Sequence, residues 1–508
     1  MCCHVAILVV ITCGLIAPAL AVNFTKFSNI LNAVGIIYAL CKSACETGPE
    51  PTEWSSFSPQ FSTWLLPWVA LVSQLSSGAG GRFENLTSFF LAVGSPTTAA
   101  YSLVLTCLSD ISYLNVNHIF NILNSLQQAL LKIIPEEGLL QSLVVLPEND
   151  AYWGELALWL DYTNTWSITA VTLILLVLLA YLFTVIDTFP PKTTGPFGSS
   201  DGQAVGTVWF WLLPVVVGWL QMSPKCECQQ LNNALMCTST IACVTTDSGL
   251  KLVNSDKWAF TMHEFSEDTS YINEKFTAPI FNYACFLPWT QNMEVVVATF
   301  CNAAHQAQAH HHVDECSHFG PDIWSRLFLA SFFATLLQWG TAGAAIIIVF
   351  YTPPVGLGCC SGAYLVYAAM STLIWVLLTT SSILTHFLAT SRTCARSTSE
   401  HLSSDHDKVL RFVQTLEIFL CRLGKSPAAC NTIWIVLVCM LQFGSIFGQC
   451  YCFGSVLGLR SRACDILIID ANEVTRPWLG GVGFACGSAV LFVGFINLFI
   501  NAKPTIFP

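Results

Sequence analysis

The sequence predicts an all-α fold: a multi-spanning transmembrane helix bundle of about eight or nine spans behind an N-terminal signal segment. Three observations carry this. The 508 residues are 54% hydrophobic and only 10% charged, whereas soluble domains run near a quarter charged. Charge this sparse cannot cover a water-facing surface, and a mean hydropathy of +0.60 agrees. Second, uncharged apolar runs recur along the chain. Third, the run Leu327–Phe350 is followed by the turn YTPPVGLGCC and at once by a second run, Ser361–Phe387. At about 1.5 Å rise per residue, the 24 residues of the first run are enough to cross a bilayer. The pair reads as two membrane helices locked by a short stiff turn.

Taken in order, Val5–Ile16 is apolar and Ala19-Leu20-Ala21 is a small-x-small cleavage pattern, so residues 1–21 read as a signal peptide. The opening MCCH carries no Lys or Arg, which leaves an uncleaved anchor helix as the alternative. Residues 22–221 form an N-terminal membrane region. Its spans are Thr63–Leu75, Asn85–Leu108, Ile168–Val185 and Ala204–Leu220, with a short apolar run at Phe27–Cys41 as a candidate ninth. Gly94-Ser95-Pro96 interrupts the second of these. Proline in a helix frees a carbonyl and kinks the axis, and in lipid a neighbour must satisfy that carbonyl. This helix is therefore expected inside the bundle. Ile119, Leu123, Leu126, Leu130 and Ile133 recur at helical spacing and predict an interfacial amphipathic helix. Trp209, Trp211 and Trp219 suit an aromatic belt at a membrane interface. Residues 222–325 are a water-exposed, Cys/His-rich loop. Residues 326–508 form a C-terminal membrane region with the hairpin, a basic loop at 388–430, and spans at Asn431–Gly448 and Leu479–Ile500.

Orientation is pulled two ways. A cleaved signal and eight spans place 222–325 outside, which suits disulfides among its seven cysteines. That arrangement also places outside the loop bearing Arg392, Arg396, Lys408, Arg411, Arg422 and Lys425, against the positive-inside tendency. A ninth span at Phe27–Cys41 reverses both and is preferred. Asn85-Leu86-Thr87 then becomes lumenal and a glycosylation candidate, as Asn23-Phe24-Thr25 is.

Charge also limits function. A net charge of −11 without a basic run argues against a nucleic-acid partner; the partner implied is the lipid bilayer of an endomembrane or the plasma membrane. Asp187 and His386 fall at span ends, so no ionisable group marks a midplane site for ion coupling. This favours a scaffold, or a carrier of apolar cargo. No nucleophile elbow, Walker loop, dinucleotide fingerprint or His-Glu-x-x-His motif points to an enzyme. The sharpest polar cluster is CNAAHQAQAHHHVDECSHFG. Its His305, His310, His312, Cys316 and His318 are of the types that bind zinc or copper, although the spacing fits no zinc-finger template and His tracts are commonly just solvated. In the hairpin, Ala330, Ala334, Gly340 and Ala344 predict close helix approach, and Gln338 reads as interhelical hydrogen-bonding glue.

SLQQALLKI (125–133), GLLQSLVVLPENDAYW (138–153), VIDTF (185–189), WFWLLPVVVGWLQMSPKC (209–226), LQWGTAGAAIII (337–348) and YTPPVGLGC (351–359) resemble a group of uncharacterised fungal polytopic membrane proteins. The likeness runs over roughly Asn85–Phe387. It implies a polytopic membrane fold and brings no activity or catalytic residue with it. Relatives tend to carry Arg after GLGC, where this chain has Cys360.

Overall fold

The computed structural model describes residues 34–37, 54–75, 82–111, 131–133, 146–160, 166–188, 198–222, 228–246, 249–252, 260–262, 279–281, 322–352, 357–397, 404–444, 464–468 and 471–501, with isolated positions between 122 and 143 and between 283 and 296. Helices dominate these residues. Six are long and apolar enough to cross a membrane: Ile168–Ile186, Gly202–Met222, Ile323–Tyr351, Cys359–Thr385, Arg411–Phe443 and Thr475–Phe499. A bent pair makes a seventh if counted as one span.

The first described element is a strand. β1 (Val34–Ile37) pairs antiparallel with Cys464–Ile468. The ninth span expected at Phe27–Cys41 is therefore not helical where it is described. The run is short for a bilayer, and its VGII core is rich in β-branched residues that suit an extended chain. α1 (Trp54–Gln60) continues through a π-helical turn at Phe61–Leu65 into α2 (Leu66–Val72). Pro67 sits in the first turn of α2 and lacks the N–H a continuous ladder needs. The stretch expected as a span at Thr63–Leu75 is thus the end of a broken helix and is not one of the six. α3 (Arg82–Gly94) and α4 (Pro96–Ile111) are two halves of one apolar stretch, bent by 104°.

β2 (Leu131–Ile133) pairs with Phe260–Met262. The helix expected through Ile133 therefore ends as a strand, because tertiary pairing overrides the helical spacing there. α5 (Asp150–Trp159) follows a 3-10 turn. Then come α6 (Ile168–Thr188), α7 (Gly198–Trp209) and α8 (Leu212–Met222), the last two being halves of the Gly202–Met222 crossing. The polar segment contributes α9 (Cys228–Ser239), the hairpin of β3 (Cys243–Thr246) and β4 (Gly249–Leu252), β5 (Phe260–Met262) and a 3-10 turn at Pro279–Phe281. The C-terminal half is α10 (Asp322–Tyr351), α11 (Cys359–Ser397), α12 (Ser404–Phe443), β6 (Cys464–Ile468) and α13 (Ala471–Asn501). The segment expected as a basic loop, 388–430, is helical at 388–397 and 404–430. α12 carries its positive residues on one 40-residue helix that passes through Pro427.

The outer face of α6 exposes Leu175, Leu176, Leu179, Leu182, Phe183 and Ile186 at helical spacing, the pattern of a face meant for lipid. α10 lies at the centre, packed against α4, α7, α11 and α13, while α11 packs most closely with α12. The small residues foreseen in the hairpin let α10 approach its neighbours. A Cβ on Gly340 would sit 2.2 Å from Ser488 Oγ, and one on Gly481 3.2 Å from the Ala344 carbonyl oxygen. Ala330 and Ala334 are fully buried.

Beside the bundle, the LPENDAYW motif staples the polar segment. Asn149 is 0% exposed. Its amide nitrogen donates to the carbonyls of Ser142 (2.8 Å) and Cys243 (3.0 Å), and its oxygen accepts from Cys243 N–H (2.8 Å). Trp153 Nε1 donates to the Leu143 carbonyl. Burial pushes the Tyr152 hydroxyl up to about 12, partly offset by Thr238. α5 and α9 pack together through this group.

Candidate functional site

The break between α3 and α4 is capped by side chains from distant helices. Ser95 is the N-cap of α4 and Pro96 its first residue, as helix starts favour. Ser95 Oγ lies 2.8 Å from Thr98 Oγ1 and donates to the Ser371 carbonyl, while Thr98 N–H turns back to the Ser95 carbonyl. Carbonyls at the end of α3 are met by side chains from α11 and α12. Tyr367 OH donates to Val93 O (2.8 Å), and Asn431 Nδ2 to Gly94 O (2.7 Å) and to Tyr367 O (3.1 Å). Thr432 Oγ1 donates to Phe90 O (2.8 Å), and Thr97 Oγ1 meets Ser371 Oγ at 3.0 Å. Left open in hydrocarbon, each such carbonyl would cost several kcal/mol. The approach that makes this possible requires glycine: a Cβ on Gly94 would fall 2.0 Å from the Ala428 carbonyl oxygen.

Other polar links tie the helices together. Trp339 Nε1 donates to Thr372 Oγ1, Trp434 Nε1 to Ala363 O and Trp478 Nε1 to Ile348 O. Tyr364 OH donates to Gln442 Oε1, and Ser382 ties α11 to the Tyr283 carbonyl. Among the described residues the interhelical hydrogen bonding thus uses Ser, Thr, Asn, Gln, Tyr and Trp.

Gln338, expected to be part of that glue, is not. It is 1% exposed, and neither amide atom has a hydrogen-bond partner among the described residues. Helix geometry shows which way it faces. Gly340 and Ile348 meet α13, and Trp339 reaches α11. At about 100° per residue, Gln338 stands about 160° from Gly340. It thus shares a flank with the buried Ala334, Thr341 and Ala345, on the side where α4 and α7 pack.

The facing element is also interrupted. α7 ends at Trp209 and α8 begins at Leu212. Pro214 cannot donate to the Phe210 carbonyl, which takes Leu213 N–H at 3.3 Å instead. At this turn Trp211 lies against Tyr367, the residue that caps Val93, and Trp209 lies against Cys439. All three tryptophans are buried; the indoles of Trp211 and Trp209 face the Tyr367 hydroxyl and the Cys439 thiol, while Trp219 Nε1 and both amide atoms of Gln203 on α7 have no hydrogen-bond partner among the described residues. The interface belt read from these tryptophans is thus corrected: they are core. Tryptophan content alone does not separate a belt from a core, and the proline-driven turn puts them inside.

Depth follows from shared contacts. Trp211 touches Tyr367, Thr97 touches Ser371, and Trp339, next to Gln338, touches Thr372. Tyr367, Ser371 and Thr372 lie within about 8 Å along α11 at ordinary helical rise. Gln338, the first turn of α4 and the turn at Trp211 therefore share one level of the bundle.

The other sites expected from sequence are distributed differently. His305, His310, His312, Cys316 and His318, the signal segment 1–21 and Asn23 lie outside the described residues. Asn85 is half-buried in the first turn of α3, with its amide oxygen closed to solvent. Among the described residues, no group of His, Cys, Asp and Glu is arranged to hold a metal ion. The pairing partners at the α3–α4 break lie between 274 and 342 residues away. Only the break itself was legible; its caps had no local signal.

These features define the class: a helical, apolar, multi-pass bundle of the membrane type, with two interrupted helical stretches among the described residues. No protein-family model, curated protein or solved structure matches the chain.

Proposed function

We propose that this chain is an integral membrane protein of an endomembrane or the plasma membrane, acting through the interior of its bundle as a scaffold or a carrier of uncharged cargo. One observation carries the reading. The buried polar residues among those described are Ser, Thr, Asn and Gln, together with Tyr and Trp, and include no Asp, Glu, Lys, Arg or His. Ion- and proton-coupled carriers place ionisable groups near the midplane, and catalysis of acid–base type needs them as well. The test is extraction of membranes at alkaline pH. The protein stays with the lipid pellet and is released by detergent; release by alkali alone overturns the reading. Membership in the fungal polytopic group is proposed on the motifs quoted above.

A second reading rests on the sequence of the polar segment, where six of the chain's 11 histidines and seven cysteines gather between 222 and 325. Here His305, His310, His312, Cys316 and His318 bind zinc or copper. Equilibrium dialysis of the detergent-purified full chain tests it. Binding that persists unchanged when the histidines are replaced by alanine overturns it. Glycosylation at Asn85 and Asn23 is read from a mobility shift with glycosidase that disappears in the Asn→Gln variants.

A further inference from the structure

α12 is longer than a crossing needs. Its candidate crossing, Arg411–Phe443, has 33 residues, about 50 Å at ordinary helical rise, against a hydrocarbon layer of about 30 Å. The excess falls at one end. Near Phe443 the helix is level with the start of α11, because Tyr364 OH donates to Gln442 Oε1 and Trp434 Nε1 to Ala363 O. About 20 residues counted back from Phe443 fill the layer and end at Leu423. Arg411, Glu417 and Arg422 lie beyond that point. The stretch from Val409 to Arg422 therefore stands outside the apolar layer.

That stretch still carries an open apolar stripe, which runs to Leu423. Val409 is 60% exposed, Phe412 67%, Phe419 59% and Leu423 41%, with Leu416 half-buried between them. Acyl chains do not reach side chains at this level, and α11 does not cover them. α11 lies on another face, where a Cβ on Gly424 would meet Leu378 and where Ser381 Oγ donates to the Glu417 carbonyl. At about 100° per residue the stripe is centred about 110° round the helix from that contact. A contiguous exposed apolar patch marks an interaction surface, and the spacing says of which kind. Positions 409, 412, 416, 419 and 423 step by three, four, three and four. This is the a/d repeat that a second helix fills knob into hole.

We propose that Val409–Leu423 is a seam through which two copies of this chain associate, α12 against α12, as a short parallel coiled coil. The proposal rests on the membrane-embedded reading above. Insertion in one membrane gives both copies the same orientation, so the stripe meets itself in register about a two-fold axis. The flanking positions suit that pairing. In a parallel pair Thr415 and Arg422 of one copy stand opposite Leu420 and Pro427 of the other, so these positions bring no like charges together. Five side chains at these exposures offer roughly 500 Å² per copy, and about 1,000 Å² for the pair is the lower end of a specific interface. Two heptads are short for a free coiled coil. Here α11 and the bilayer fix the helix and its direction before the copies meet, which lowers the cost of association.

The test reconstitutes the full chain into phosphatidylcholine vesicles as equal populations carrying donor and acceptor fluorescent proteins at the C-terminus. Wild type is expected to transfer energy above the level set by random proximity at that chain-to-lipid ratio. Phe412→Glu and Phe412→Lys each lose this excess, because like charges then meet across the seam. A mixture of Phe412→Glu donors with Phe412→Lys acceptors recovers it, which also shows that both variants fold. Wild-type transfer at the random level overturns the proposal. So does excess transfer that survives in either variant alone, or that fails to return in the mixture. Chains that do not float with the vesicles overturn the membrane-embedded reading together with this one; chains that float without excess transfer overturn this one alone.

Discussion

Two helical stretches of this bundle are interrupted, and the chain treats them in different ways. At Gly94–Pro96 the axis turns by 104° and four side chains from α11 and α12 take up the open groups. At Phe210–Trp211 the disturbance is mild, the Thr207 and Phe210 carbonyls shifting to donors three residues on, yet Trp219 on the following helix keeps an indole nitrogen unpaired among the described residues. The amount of backbone disorder therefore does not measure how much polar capacity a membrane interior leaves unused. The sharply bent break is a joint capped by side chains from α11 and α12. The nearly straight one borders the only deep amide in α10 that bonds to nothing among the described residues.

The contrast can be broken or sharpened by substitution, with stability read as the thermal or denaturant midpoint in mixed micelles. The largest effect is expected from Gly94→Ala. Its Cβ meets a backbone oxygen of α12, which cannot swing aside as a side chain would, so the two helices part at a cost of about 3 kcal/mol. Asn431→Leu comes next. It leaves the Gly94 and Tyr367 carbonyls without their donor and lowers stability by about 2 kcal/mol. Tyr367→Phe removes one bond, to Val93 O, and costs about 1 kcal/mol, in line with single hydrogen bonds between membrane helices. Gly483→Ala is the control: an added Cβ there meets nothing within 4 Å, and stability stays within about 0.5 kcal/mol. If Asn431→Leu proves as mild as Gly483→Ala, the joint at Gly94 is not sealed by its caps and the contrast falls.

The buried staple at Asn149 supplies a further comparison, and a pH dependence. Tyr152 beside it has its hydroxyl raised from 10.0 to about 12. A raised acid favours the neutral form in the folded state, so its contribution is complete below pH 10 and is lost as pH climbs through about 12. Protection factors of α5 and α9, taken relative to the base-catalysed intrinsic exchange rate, should fall over that window in wild type and not in Tyr152→Phe.

The hairpin of α10 and α11 was plain in the sequence because length and lack of charge suffice to mark a crossing. The joint at residues 94–96 was half plain. Gly-Ser-Pro announces a kink, and the need for a neighbour follows from the solvent, but nothing near residue 94 names Asn431 or Tyr367. Gln338 shows the limit most clearly. A lone mid-span glutamine is ordinarily glue, and sequence cannot tell a bonded amide from a bare one. The basic stretch around Arg411 read as a loop because charge interrupts hydropathy, whereas α12 runs unbroken from Ser404 to Phe443 and its candidate crossing begins at Arg411. At Phe27–Cys41 and Ile133 short apolar runs were open to two periods, and strand partners more than a hundred residues distant decided between them.

The Asn431 cap also governs the order in which the protein can be assembled. The residue that closes the joint at Gly94 is made 337 positions later. Throughout synthesis of the first four-fifths of the chain, the bent helix stands in the membrane with its carbonyls exposed and its lock not yet in existence. The N-terminal half can insert early but cannot finish, and insertion and maturation are separate events. A chain truncated before α12 should therefore be recognised by quality control as incomplete at a point far upstream of the cut, with protease sensitivity appearing at Gly94–Pro96 rather than at the new terminus.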